Sequence, residues 1–290
     1  ILQNIKETCV AAGANFDDDS VRIYQWLVTT DQDRDGGTWV GDGFTITPYL
    51  EERDHFLTHD RPASTGMGVK NLLVKDTIVE VDVLLKTDTP KQQVSLDVPK
   101  ALAGYSQGLI SGDWVFTAGE HATDFIGDIG RTDYNGPRSA IQLDARTPSE
   151  LLWYGLPVKL QTQKLFEKLE RNLETCGSSM KDVVHATIYY SHPKNLAEIE
   201  EAWIEWFPED PPARTLIPYM GIGIRGCDPE IALIALKKDG LTEKQSIIAD
   251  GVGAPIGHEP HAVKAGDLLF FSTQIAGDRN GLCAGGRRAD

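Results

Sequence analysis

What most constrains this 290-residue chain is that parts of it occur twice. Arg214 stands sixteen positions before Glu230, and Ser64 stands sixteen positions before Glu80. Each pair begins in a proline-led turn, Pro212-Ala-Arg-Thr215 or Pro62-Ala-Ser-Thr65, and ends where an apolar strand begins. A repeat at this range obliges the chain to build one supersecondary unit more than once and to bury the copies against each other. Other pieces recur with it. Tyr105 to Glu120 matches Glu259 to Gln274, each with two apolar stretches around a Gly-Asp turn (Gly112-Asp113, Gly266-Asp267), which predicts a β-hairpin. Spacing predicts a helix over Leu165–Cys176, with Leu165, Phe166, Leu169 and Leu173 on one face and Gly177 as its stop. A strand over Val183–Tyr190 follows, and Ile1–Ala12, Gly13 and Val21–Val28 repeat that order. A second helix carries Leu196, Ile199, Trp203 and Phe207 on one face.

One full unit therefore reads hairpin, long insert, helix, strand, helix, strand, over residues 98–240. An antiparallel or mixed sheet with two helices on one face makes each repeat an α+β domain. Residues 1–97 supply the C-terminal part of a second repeat, and 241–290 supply an opening hairpin. The ends are expected to complete each other in a permuted two-repeat order. The competing organisation is a longer three-repeat chain cut at both ends. The first is favoured because half a sheet leaves unpaired edges and bare apolar faces.

Charge narrows the partners. Lys and Arg number 28 against 43 Asp and Glu, a formal charge of −15, and a surface that acidic repels phosphate backbones. Neither nucleic acid nor a membrane is expected: no apolar run approaches the roughly 18 residues of a bilayer span. The opening residues also lack a signal-peptide pattern. Cys9, Cys176, Cys227 and Cys283 form no C-x-x-C pair, which fits reduced thiols in a cytoplasmic protein.

With these pieces in view, Tyr105-Ser-Gln-Gly, Gly-Asp-Trp-Val-Phe-Thr-Ala-Gly119, Leu-Glu-Thr-Cys-Gly-Ser-Ser-Met-Lys-Asp-Val-Val184 and Pro-Pro-Ala-Arg-Thr215 resemble the Rid (reactive intermediate deaminase, YjgF-like) family in tandem-repeat form. The resemblance spans the full unit and, more weakly, both ends. It implies two chorismate-mutase-like repeats, a trimer with sites in clefts between neighbours, and cofactor-free hydrolysis of small enamines or imines to keto acids and ammonia. It also implies site roles. Arg214 would grip the substrate carboxylate, for which a planar fork of donors suits. Glu230 would orient water or the substrate nitrogen, and Tyr105, Gly119 and Glu120 would contact the substrate. No metal or cofactor is expected. Three two-repeat chains would stack two rings, only one carrying Arg214, because Ser64 and Glu259 stand at the arginine and tyrosine positions of the other repeat. Ala118 and Leu216 depart from the family's frequent serine and cysteine. The insert at 124–161, with Arg131, Arg138 and Arg146, is longer than the family's loop and could cover a cleft. Members described as ribonucleases are disfavoured as a guide by the charge.

Competing motifs are weaker. Gly104-Tyr-Ser-Gln-Gly108 fits a nucleophile elbow, but a strand rather than a helix should follow it. Gly221-Ile-Gly-Ile-Arg-Gly226 fits a dinucleotide loop, again without the helix it needs. Asp31, Asp33 and Asp35 resemble a calcium loop closed by Asp42, yet follow a strand, so a solvated acidic loop is the simpler reading. His258 and His261 read as loop residues, and Trp203, Trp206 and Phe207 as core. Two alternatives to a Rid-like deaminase stay open: a non-catalytic binding or assembly protein of the same fold, and a hydrolase whose site the insert supplies.

Overall fold

The computed structural model describes residues 1–28, 46–96, 104–123, 141–145, 157–219, 227–275, 277–278 and 281–282. In chain order it contains helices α1 (Leu2–Ala11) and α2 (Phe16–Asp19), strand β1 (Ser20–Val28), helix α3 (Ile46–Phe56), and strands β2 (Ala63–Val69), β3 (Val79–Leu85), β4 (Lys91–Gln93), β5 (Gly108–Ser111) and β6 (Trp114–Thr117). Helix α4 (Pro157–Thr175), strand β7 (Val183–Tyr190) and helix α5 (Leu196–Trp206) follow, then strands β8 (Ala213–Pro218), β9 (Glu230–Leu236), β10 (Lys244–Ile247), β11 (Ala262–Ala265) and β12 (Leu268–Phe271).

The local expectations hold closely. Both Gly-Asp turns place glycine at positive φ (Gly112 +57°, Gly266 +55°), the conformation that a side chain disfavours. Gly177, at φ +75°, ends α4. Helix α4 starts at Pro157, eight residues ahead of Leu165, so the last five residues of the expected insert are helix. Helix α3 carries no strong apolar stripe and escaped the periodicity.

The central sheet runs β4-β5-β6-β9-β7-β8, antiparallel except for the β7–β8 pair. Strand β4 extends it upstream of residue 98 by pairing Lys91–Gln93 with β5. Helices α4 and α5 cover one face, where Leu165, Phe166, Leu169, Leu173 and Trp203 are fully buried against Ile188 and Leu233. Each such side chain contributes about 1.5–3 kcal/mol of burial, which makes this layer the main clamp on the sheet. The fold is α+β.

Two smaller sheets flank it, β2-β1-β3 and β10-β11-β12. Strands β2-β1-β3 reproduce β8-β7-β9 in order and direction. The opposite face of the central sheet meets both in one core containing Val21 and Ala63, then Leu109, Phe116, Val184 and Ala213, then Val263 and Ala265. Among the described residues β12 does not pair with β3, and the C-terminal hairpin lies beside β8. Backbone bonding explains the choice. Gly119 N–H donates to Ser64 O at 3.1 Å, and at the matching positions Thr273 N–H donates to Arg214 O at 2.9 Å. Asp60 accepts from Gln93 N–H, and its counterpart Asp210 accepts from the Ser246 hydroxyl. The first sheet thus meets the central unit as the central unit meets the hairpin.

Candidate functional site

Two junctions follow from this arrangement, and they divide the expected site residues between them. Cross-strand pairs share a face, and successive residues alternate. Arg214 pairs with Ala186 across β7 on one side, and Glu230 pairs with Tyr189 on the other. Three residues along β7 reverse the face, so Arg214 turns toward α5 and Glu230 toward the first sheet. Their backbones stand roughly 10 Å apart along the strands and about as far across them. Within this unit Arg214 and Glu230 therefore face different junctions.

The first junction gathers Tyr105, Gly119, Glu120 and Glu230 against Ser64 and Thr65 of β2. Gly119 N–H also donates to Thr65 Oγ1 at 2.9 Å. A Cβ at Gly119 would stand 2.0 Å from Glu230 Oε1, so only glycine lets that carboxyl lie on the backbone. Glu230 is buried, and its Oε2 has no hydrogen-bond partner among the described residues; His121 Nε2 lies 3.9 Å away. Burial first, and the neighbouring Glu120 second, hold the Glu230 carboxyl well above the usual carboxylate range. Glu120 accepts from Gln107 Nε2 at 3.2 Å and pairs with buried Lys168 Nζ at 2.6 Å. Half-buried Tyr105 is likewise raised well above its ordinary value, by burial and then by Glu120 and Glu230, with Arg53 pulling the other way. Burial, then Lys168, depresses His121 to about 3, leaving a neutral imidazole.

At the arginine position of this junction Ser64 is engaged with Gln25, donating to Oε1 at 3.1 Å and accepting from Nε2 at 3.0 Å. The cation comes from elsewhere. Arg53, ten residues before Ala63, occupies the place that Trp203 holds ten residues before Ala213. The correspondence is structural: Arg53 Nη2 donates to Gly104 O at 3.4 Å, and Trp203 Nε1 donates to His258 O, the matching carbonyl, at 2.7 Å.

The second junction holds Arg214, buried with its fork in use. Its Nη2 lies 2.5 Å from Glu200 Oε2, its Nε bonds Glu259 Oε2, and its guanidinium covers the Trp203 ring at 4.8 Å. Backbone bonds tie the same strand to the hairpin: Arg214 N–H to Ser272 Oγ at 3.2 Å and Leu216 N–H to Thr273 Oγ1 at 2.8 Å.

Residues 146–237, which carry both Arg214 and Glu230, match the family model described as Endoribonuclease L-PSP. A RutC family protein of Pyrococcus abyssi is 28% identical over 120 residues, 41% of this chain and 76% of that protein. A second, from Pyrococcus horikoshii, is 27% identical over 122 residues, 42% of this chain and 78% of its own length. Together these place the central unit. It is a Rid-family domain. Among solved structures, RidA from the Antarctic bacterium Psychrobacter sp. matches 50% of this chain and 98% of its own at 22% identity and a TM-score of 0.38. E. coli TdcF with bound serine matches 51% and 99% at 19% identity and a TM-score of 0.39.

The competing motifs resolve simply. Ser106 of the elbow-like run is buried, donates to Arg61 O and leads into β5, not a helix. His258 Nε2 bonds Phe207 O at 2.7 Å, and His261 ties Ala249 N–H to Gly253 O, so both fix loops. Trp203, Trp206 and Phe207 pack around Phe166. Cys9, Cys176 and Cys227 are free and buried. No helix among the described residues is long and apolar enough to cross a membrane. The glycine run 221–226, the aspartates at 31, 33 and 35, residue 42, Cys283 and most of the 124–161 insert lie outside the described residues.

Proposed function

We propose that this chain hydrolyses a small carboxylate-bearing enamine or imine to a keto acid and ammonia without a cofactor, in the cleft between β2 and the Rid domain. The observation that carries the reading is Glu230: a buried carboxyl, raised well above its usual range, with an unused oxygen and laid on Gly119. Such a group is a proton donor at neutral pH. Glu230 delivers its proton to the imine nitrogen as water adds to C2, and the resulting carboxylate takes a proton from the added water. A second passage through the same carboxyl protonates the amine and removes the hydroxyl proton. The C2–N bond then breaks, releasing ammonia and leaving the C2 carbonyl. Glu120, pinned by Lys168, adds to burial in raising the Glu230 carboxyl. The Tyr105 hydroxyl, held neutral, is a hydrogen-bond donor for the substrate.

The substrate carboxylate is assigned to Arg53, the cation that acts on the Tyr105 hydroxyl. Arg214 keeps the binding role that the resemblance implies only where a ligand displaces Glu200; its engaged fork favours anchoring the C-terminal hairpin. The ring of three is read as met within the chain by successive repeats, so the stacked homotrimer becomes a question for sedimentation. The test is keto-acid release from enzymatically generated 2-aminoacrylate and longer-chain imines. Acceleration that Glu230→Gln abolishes, and that Arg53→Ala weakens through KM more than Arg214→Ala does, supports the reading. No acceleration with any imine overturns it.

A further inference from the structure

The junction of the three sheets contains a cation without a hydrogen-bond partner among the described residues. Arg22 of β1 is fully buried, and its Nε, Nη1 and Nη2 have no hydrogen-bond partner among the described residues. The Tyr24 ring lies 5.0 Å from the guanidinium. A cation–π contact of that kind recovers about 0.5–2 kcal/mol, whereas an unpaired charge removed from water costs several. A guanidinium cannot shed its proton to escape the cost. Something with acceptor oxygens belongs there.

The repeat supplies the second group. Arg22 pairs with Ala63, and His185 of β7 pairs with Ala213, the matching alanine. Both sit beside a register shift, between Ser20 and Arg22 in one case and between Val183 and His185 in the other, so each side chain is turned by the same bulge. His185 Nε2 is engaged with Thr215 Oγ1 at 3.0 Å and its ring stacks on Phe270 at 5.5 Å, while its Nδ1 is buried without a partner among the described residues. Arg22 lies close enough to help depress the histidine, after burial, to about 3. The two nitrogen-bearing groups are equivalent in the repeat and close enough to influence each other. Tyr24 and His185 are only partly covered, which marks the way in.

We infer that the junction of the three sheets is a binding site for a small oxyanion, a carboxylate or inorganic phosphate, held by the Arg22 fork with His185 Nδ1 beside it. A planar fork presents parallel N–H donors to two oxygens of such an anion, and the Tyr24 ring backs the guanidinium. The inference does not depend on any reaction at Glu230.

Thermal unfolding titrated with phosphate or acetate, against sodium chloride at equal ionic strength, tests it. A saturable rise of about 3 °C in the wild type, with half-saturation displaced at least roughly tenfold in Arg22→Met, is expected. The anion with the lower half-saturation identifies the class, phosphate or carboxylate. An equal rise in Arg22→Met, or a wild-type response no greater than that to chloride, overturns the inference. The wild-type titration decides the matter alone should Arg22→Met not fold, and His185→Phe, which keeps the Phe270 stack, should weaken the response by a smaller factor.

Discussion

The Glu230 carboxyl rests directly on the backbone of Gly119, so that any side chain at 119 would collide with Oε1 at 2.0 Å and with Thr65 Cγ2 at 2.7 Å. Gly119→Ala must move one or both. An overpacked interior of this kind costs about 1–3 kcal/mol. Urea unfolding should show that loss, and deamination should fall by more than the loss of folded protein explains. An alanine variant with unchanged activity would remove Glu230 from the chemistry.

The pair Glu120–Lys168 is buried on both sides and separated by 2.6 Å. Truncating one member strands the other's charge, at a cost of about 3–5 kcal/mol, whereas removing both together costs far less. Glu120→Gln and Lys168→Met should each destabilise strongly, with the double variant recovering most of the loss. Additive effects in the cycle would show that the two charges do not interact.

Stability should also report the protonation of Glu230. Its folded-state pKa is raised, by burial and then by Glu120, so the folded chain holds a proton that the unfolded chain releases above the ordinary carboxylate range. Its contribution is therefore fully present below the unfolded value and lost as pH rises through the folded one. Glu230→Gln should flatten that decline, measured as unfolding free energy across pH 5–8 and differenced from the wild type. His121 and His185, each depressed to about 3, act with opposite sign: stability falls as pH drops below about 6.5 toward 3.

Arg214→Ala should be a stability variant first. It leaves Glu259, whose Oε1 already has no partner among the described residues, buried without its cation, at about 3–5 kcal/mol. Hydrogen exchange should quicken in β11 and β12 before it does in β7 or β9. A variant with intact exchange but lost activity would restore Arg214 to the substrate.

Much of this was legible in the chain. The sixteen-residue spacing from Arg214 to Glu230 places both on the strands expected, and the Gly112 and Gly266 turns form the expected hairpins. What spacing could not reveal is which neighbour each strand end would meet. Arg214 and Glu230 share one repeat, but each faces a different adjoining sheet, and that is a property of packing between units. Arg53 escaped notice because its counterpart is Trp203, ten residues before Ala213, and nothing in residue type connects an arginine to a tryptophan. Lys168 sits on the same stripe of α4 as Leu165 and Asn172, and a lysine among leucines reads as surface until its carboxylate partner is located.

The repeated backbone bond, Gly119 to Ser64 and Thr273 to Arg214, has a consequence for how such a protein changes. In a ring of identical subunits one substitution enters every interface at once, and association depends on how much protein the cell contains. Here each interface is written in its own stretch of sequence, and the partners meet at an effective concentration fixed by the connecting chain. One junction can exchange arginine for serine and draw its cation from a helix while the next seals its arginine behind glutamates, neither change being imposed on the other.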